Sequence, residues 1–279
     1  MKYEVSETLM NEGSKHCAAL FVLPATVGTR PCETHRNGTL TFMELEGKTY
    51  GLTCQHVVDY LRTENAKAGG GSSYTFATVV NDTFFVLDRF RTPPAAVPHG
   101  SQGPDIAIRE IDPRYPPRIG KVPVRLREMP FAWSALAFAV AVGFPEREKR
   151  VQTDRRGRRI AMPCVTIVAE NTSSEGEQFT LYSELEEMPK VRYFSGISGG
   201  PIFWSQGEDY GLLGIVGAVL SGDPGDTPMA GQAFSKGPRL CIRGIIEVRV
   251  SNVSGGCRLS RENGAIQPRS PLHYFCEWL

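Results

Sequence analysis

Apolar positions recur along the 279 residues mostly in short runs, many alternating with polar ones, and clusters of Gly, Pro, Asn, Asp or Ser close most of them. A period of two sends successive side chains to opposite faces, so these runs predict strands. In the first half they fall at residues 17–23, 39–45, 49–54, 74–80, 83–87 and 105–111. In the second they fall at 135–143, 164–170, 178–183, 201–204, 212–220 and 240–250. Helical periodicity is evident in two places, the segment VVDYLRTENAK after His56 and the closing LHYFCEWL. The predicted class is therefore all-β. Six short strands per half suit closure, which removes exposed sheet edges, so the expected architecture is two six-stranded antiparallel β-barrels with a C-terminal helix. Between the halves, DPRYPPRIGKVP (residues 112–123) carries prolines that deny backbone donors to a central strand and predict an extended connector. The expected domains are thus 1–123 and 124–279.

Composition narrows the classes. Thirty-one Lys and Arg against 30 Asp and Glu leave no protein-wide field to recruit nucleic acid or an anionic membrane. The opening MKYEVSETLMNEG lacks an apolar leader run, and nothing approaches the ~20 apolar residues of a membrane span, which predicts a cytoplasmic protein. Seven cysteines are scattered without paired spacing, which predicts reduced thiols and neither metal nor organic cofactor. In that setting the sequons at Asn37, Asn81, Asn171 and Asn252 read as chance matches.

Candidate chemistry centres on SGISGGP, residues 195–201, where glycines crowd one serine before an apolar strand. Glycine tolerates tight backbone and leaves room for a substrate. The amides of Gly196 and Ser198 are suited to stabilising the oxyanion of an acyl-transfer intermediate. By itself the motif also fits a plain glycine turn. Upstream, TCQHVV places His56 where a strand gives way to a helix, a position for a general base or for a structural histidine. Between them, PDIAI opens an apolar strand with Asp105, a carboxylate to orient an imidazole or simply to cap a turn.

In the order His, Asp, Ser, these three motifs resemble those of trypsin-like peptidases, with GISGGP matching their GxSGGP. VGFP (142–145) resembles the start of the second barrel in bacterial intracellular members, LGIV (213–216) their substrate-flanking strand, and HYFCEWL their closing helix. The resemblance implies a serine endopeptidase acting on protein or peptide substrates, with Ser198 as nucleophile, His56 as base, Asp105 as its partner and the Gly196 and Ser198 amides as oxyanion hole. It further implies that Gly217, Ala218 and Val219 line the groove, where an extended substrate adds as a strand. Counting six back from the serine gives Arg192 as a pocket residue, which favours an acidic side chain before the cleaved bond unless Arg192 faces solvent, Glu186 or Glu187.

The chain departs from secreted zymogens at Ile197, which stands where they carry aspartate. The basic run REKRVQTDRRGRR (147–159) reads as a solvated hairpin, or as a surface for a regulatory partner protein in preference to nucleic acid. His99, in a Pro/Gly loop, reads as a surface residue. The rival reading from another class is a catalytically silent or partner-activated peptidase fold that serves as a peptide-binding module.

Overall fold

The computed structural model describes residues 5–26, 29–80, 83–92, 105–126, 130, 135–154, 157–175, 178–184, 194–221 and 239–245. The predicted closing helix, Arg192, Glu186, Glu187 and His99 lie outside these residues.

Seven strands make the first sheet: β1 (Cys17–Pro24), β2 (Asn37–Leu45), β3 (Lys48–Thr53), β4 (Tyr74–Val80), β5 (Thr83–Leu87), β6 (Ala107–Ile111) and β7 (Val124–Arg125). Their order is β5-β4-β1-β2-β3-β6, all antiparallel, with β7 parallel to β2 beyond the point where β1 stops pairing. The sheet curls until Arg91, just past β5, meets Ile108 of β6 through two backbone hydrogen bonds of 2.8 and 2.9 Å. Closure of the expected first barrel is thus a single bridge, because the chain leaves β5 at Leu87 before a ladder forms. β6 also starts at Ala107, so Asp105 precedes the strand instead of opening it.

The second half contributes β8 (Phe138–Gly143), β9 (Arg150–Asp154), β10 (Gly157–Ala161), β11 (Val165–Glu175), β12 (Gln178–Glu184), β13 (Pro201–Gln206), β14 (Asp209–Ser221) and β15 (Arg239–Ile245). Six of them close a barrel in the order β11-β12-β15-β14-β13-β8, while β9 and β10 pair only with each other. That separate hairpin is where the basic run lies.

Two helical segments correct the sequence reading. Residues 112–123 are not extended throughout: Tyr115–Arg118 form a helical turn, α3 in chain order, which the prolines permit because they occupy its first positions, where no intrahelical N–H is needed. Near the start, α1 (Glu7–Glu12) is capped by Ser6, whose hydroxyl accepts from the Leu9 amide at 3.2 Å. A six-residue helix is too short for periodicity to register; its one fully buried side chain, Leu9, holds it to the core. The segment docks on the second barrel, with the Ser6 amide donating to Ser205 Oγ at 3.0 Å. Leu9, Leu20, Phe42, Val140, Phe203 and Ile215 share one core that crosses between sheet and barrel, while Ile167, Leu181, Ile202 and Trp204 fill the barrel interior. Each such side chain contributes about 1.5–3 kcal/mol by leaving water. No helix among the described residues is long and apolar enough to cross a membrane.

Candidate active site

β3 ends at Thr53 and helix α2 (Gln55–Lys67) begins two residues later, with extended Cys54 as its N-cap, so His56 sits in the first turn. Asp105 approaches from the loop before β6, beside β3 in the sheet. Its carboxylate takes two hydrogen bonds from one residue: the His56 ring donates from Nδ1 to Oδ2 at 2.5 Å, and the His56 amide donates to Oδ1 at 2.8 Å. The first bond fixes the tautomer that leaves Nε2 free to accept a proton; the second satisfies one of the unpaired donors at a helix start. The His56 side chain is 51% exposed and that of Asp105 33%, so the pair is open to solvent.

The serine loop is held by a strand of the other half. In β2, NGTLTF places Leu40 and Phe42 in the core, while Thr39 and Thr41 are equally buried on the opposite face. Those threonines meet the loop: Thr39 Oγ1 donates to Gly196 O at 2.9 Å, Thr41 Oγ1 to Gly199 O at 2.7 Å, and the Thr39 amide to Ser198 O at 2.8 Å. Glycine is required at Gly196 and Gly199, with φ of 97° and 86°. At Gly199 a Cβ would also stand 2.3 Å from Thr39 O and 2.5 Å from Thr53 Oγ1. Ile197 is 1% exposed and packs with Ile202 and Val216, so the position that carries aspartate in zymogens here adds apolar packing.

Within the loop, Ile197 N–H donates to Phe194 O, Gly199 N–H to Val216 O and Gly200 N–H to Ile197 O. The amides of Gly196 and Ser198 donate to no group among the described residues, which leaves both N–H groups open to an acceptor. Ser198 Oγ donates to Gly217 O at 3.4 Å, and no hydrogen bond joins it to His56. Beyond Gly217, β14 pairs with β15 through Ala218 and Val219, whereas β13 stops pairing at Ile215. One backbone edge of residues 217–219 is therefore unpaired by any described strand beside the serine.

Sequence reasoning passed over four residues here. Thr39 and Thr41 read as ordinary strand threonines; two of them alternating with core residues just before a glycine-rich motif's partner strand is a weak signal at best. Asn37, 7% exposed, donates to Phe144 O at 3.0 Å and touches the Gly196 position, so its sequon is buried. Cys54 is fully buried, its thiol on Val216 O at 3.0 Å, and burial followed by the Asp105 charge pushes its pKa well above the ordinary range. The basic hairpin is coupled to the loop through its approach, where the Glu146 amide donates to Ser195 O at 2.6 Å and Glu146 lies 3.9 Å from Arg36.

No family model and no curated protein matches the sequence. Among solved structures, a thermostable serine protease from an extremophilic microorganism aligns at TM-score 0.48 and 11% identity, covering 84% of this chain and 92% of its own. The serine protease domain of the Sesbania mosaic virus polyprotein aligns at TM-score 0.40 and 13% identity, covering 82% and 87%. A structure described by aromatic interactions that drive coupled folding and binding of the intrinsically disordered Sesbania mosaic virus VPg protein aligns at 0.42 and 13%, covering 82% and 85%. With these three scores below 0.5, the functional reading rests on the site itself.

Proposed function

We propose that this chain is a serine endopeptidase. The observation that carries the reading is the double grip of Asp105 on His56, ring and amide together, beside a serine loop whose Gly196 and Ser198 amides have no acceptor among the described residues. In the reaction, Ser198 Oγ attacks the substrate carbonyl as His56 Nε2 takes its proton, and Asp105 stabilises the resulting imidazolium. The Gly196 and Ser198 amides receive the oxyanion, His56 returns the proton to the leaving amine, and water then cleaves the acyl-enzyme. An extended peptide pairs with the open edge at Gly217, Ala218 and Val219. Arg192 remains the proposed selector of acidic residues before the cleaved bond.

A second reading has its own support. Ser198 donates to Gly217 O and not to His56, as in an enzyme held idle until a partner turns the side chain. The Glu146 bond to Ser195 gives a partner on the basic hairpin a route to the loop. A fluorophosphonate probe separates the readings: prompt labelling of Ser198, lost in Ser198→Ala, supports the competent enzyme, and labelling that rises only on adding a partner supports the regulated one. A folded chain that never labels is a silent binding module.

A further inference from the structure

Cys54 Sγ, a ring nitrogen of His56 and a carboxylate oxygen of Asp105 all lie within 4.8 Å of one another. We propose that Cys54, His56 and Asp105 form an inhibitory site for a thiophilic divalent cation, zinc above all, on the Nδ1 side of the imidazole. The inhibitory effect rests on reading His56 as the general base; the binding does not.

One thiolate, one imidazole and one carboxylate form a donor set for tetrahedral zinc, with bonds of about 2.3 Å to sulfur and about 2.0–2.2 Å to nitrogen and oxygen. Such bonds set the ligand atoms roughly 3.3–3.8 Å apart. The cluster needs little rearrangement: the 2.5 Å contact between Nδ1 and Oδ2 opens by about 1 Å. The half-exposed His56 and the partly exposed Asp105 have room to do this, and the cation reaches the site between them. Cys54 is positioned by its place at the start of α2, and its S–H bond to Val216 O at 3.0 Å is given up when the thiolate takes the metal. Hard cations such as magnesium, which prefer six oxygens, gain nothing from the sulfur.

Loading balances simply. The Cys54 S–H bond breaks, an S–metal bond forms and one proton leaves for solvent. The proton on His56 Nδ1 is replaced by the metal and appears on Nε2, so the ring stays neutral. Two anionic ligands then cancel the divalent charge, and water completes the fourth position. The consequence for catalysis is direct: Nε2 becomes N–H and has no lone pair with which to accept the Ser198 proton. Zinc therefore inhibits without touching the serine. Sequence spacing concealed the site, since Cys54 and His56 are two positions apart while His56 and Asp105 are 49 positions apart.

The test is a cobalt(II) titration of the full chain, followed spectroscopically, with zinc calorimetry and peptide hydrolysis alongside. One cation per chain is expected, with a near-ultraviolet thiolate-to-cobalt charge-transfer band. In Cys54→Ser that band disappears and zinc affinity falls at least about 10–100-fold; Cys54→Ala serves if the serine variant melts early. Hydrolysis should stop at stoichiometric zinc, recover with a chelator and ignore magnesium. No band in the wild type, or binding unchanged in both variants, overturns the site. Binding with full activity retained overturns the inhibition. A chain that shows the band but never hydrolyses peptide keeps the metal site and counts against the peptidase reading.

Discussion

The first sheet delivers His56 and Asp105 as a pair joined by bonds of 2.5 and 2.8 Å, whereas the barrel delivers Ser198 with a hydroxyl on one long bond of 3.4 Å to Gly217. The pair is assembled within one sheet, from the end of β3 and the start of β6, which are adjacent strands. The serine is assembled across the halves, since its loop leaves the barrel before β13 and rests on Thr39 and Thr41 of β2. The geometry of the His56–Asp105 pair is therefore a property of local pairing, and that of Ser198 a property of the seam. A change in the seam should move the serine while leaving the pair intact.

The sharpest way to separate the two regions is to disable each chemically. Asp105→Asn keeps the shape of the pair but supports the wrong imidazole tautomer, so kcat should fall about 10⁴-fold with the melting temperature nearly unchanged. Steady-state kinetics beside calorimetry checks this; wild-type turnover would mean that Asp105 is only a helix cap.

Next in size is the seam at Gly199. An alanine there takes a positive φ and places a methyl group 2.3 Å from Thr39 O, where backbone has to move. The combined strain and overpacking should cost roughly 3 kcal/mol or more in urea unfolding, and the surviving folded protein should not react with fluorophosphonate. Full labelling with native stability would show that the loop does not depend on the seam. A milder break is Thr41→Val, which matches the shape and leaves Gly199 O buried without its donor. It should cost about 1–3 kcal/mol. If the seam positions the serine, kcat falls more in this variant than stability alone explains; an unchanged kcat would make the threonine purely structural.

Most strands and the class were legible because their runs are short and bounded by turn residues, as in β4 and β5, whose limits coincide with the predicted ones. The three motifs could be read for the same reason: each lies at a strand end, where local pattern changes. What escaped reading depends on contacts distant in the chain. Thr39 and Thr41 meet partners 157 and 158 residues away, and nothing in NGTLTF announces them. Likewise α1 is helical because Ser6 caps it and the barrel receives it, not because six residues hold a period. In the sequence Cys54 is one scattered thiol; only folding brings it beside a carboxylate.

The smallest effect concerns how the amino-terminal segment joins the two regions, through His16. Its ring is 7% exposed, donates from Nδ1 to Val122 O at 2.7 Å and accepts at Nε2 from the Tyr210 hydroxyl at 3.0 Å, with Phe203 at 5.6 Å between centroids. Burial lowers its pKa below 6.5; the Val122 carbonyl and Glu12 oppose this with smaller effects, and Lys121 and Lys15 add to it. The sign follows from linkage: the unfolded chain takes up the proton first as pH falls, so the contribution of neutral His16 is complete above 6.5 and declines below it, toward the lower folded value. Wild-type stability should therefore slope downward through that window, and His16→Gln, which cannot titrate, should show a shallower slope from a lower starting point. Peptidase activity measured on the folded fraction should hardly change, because the ring touches neither His56 nor the serine loop. Equal slopes for the two proteins would remove His16 as the titrating group and assign the acid sensitivity of the junction to the carboxylates.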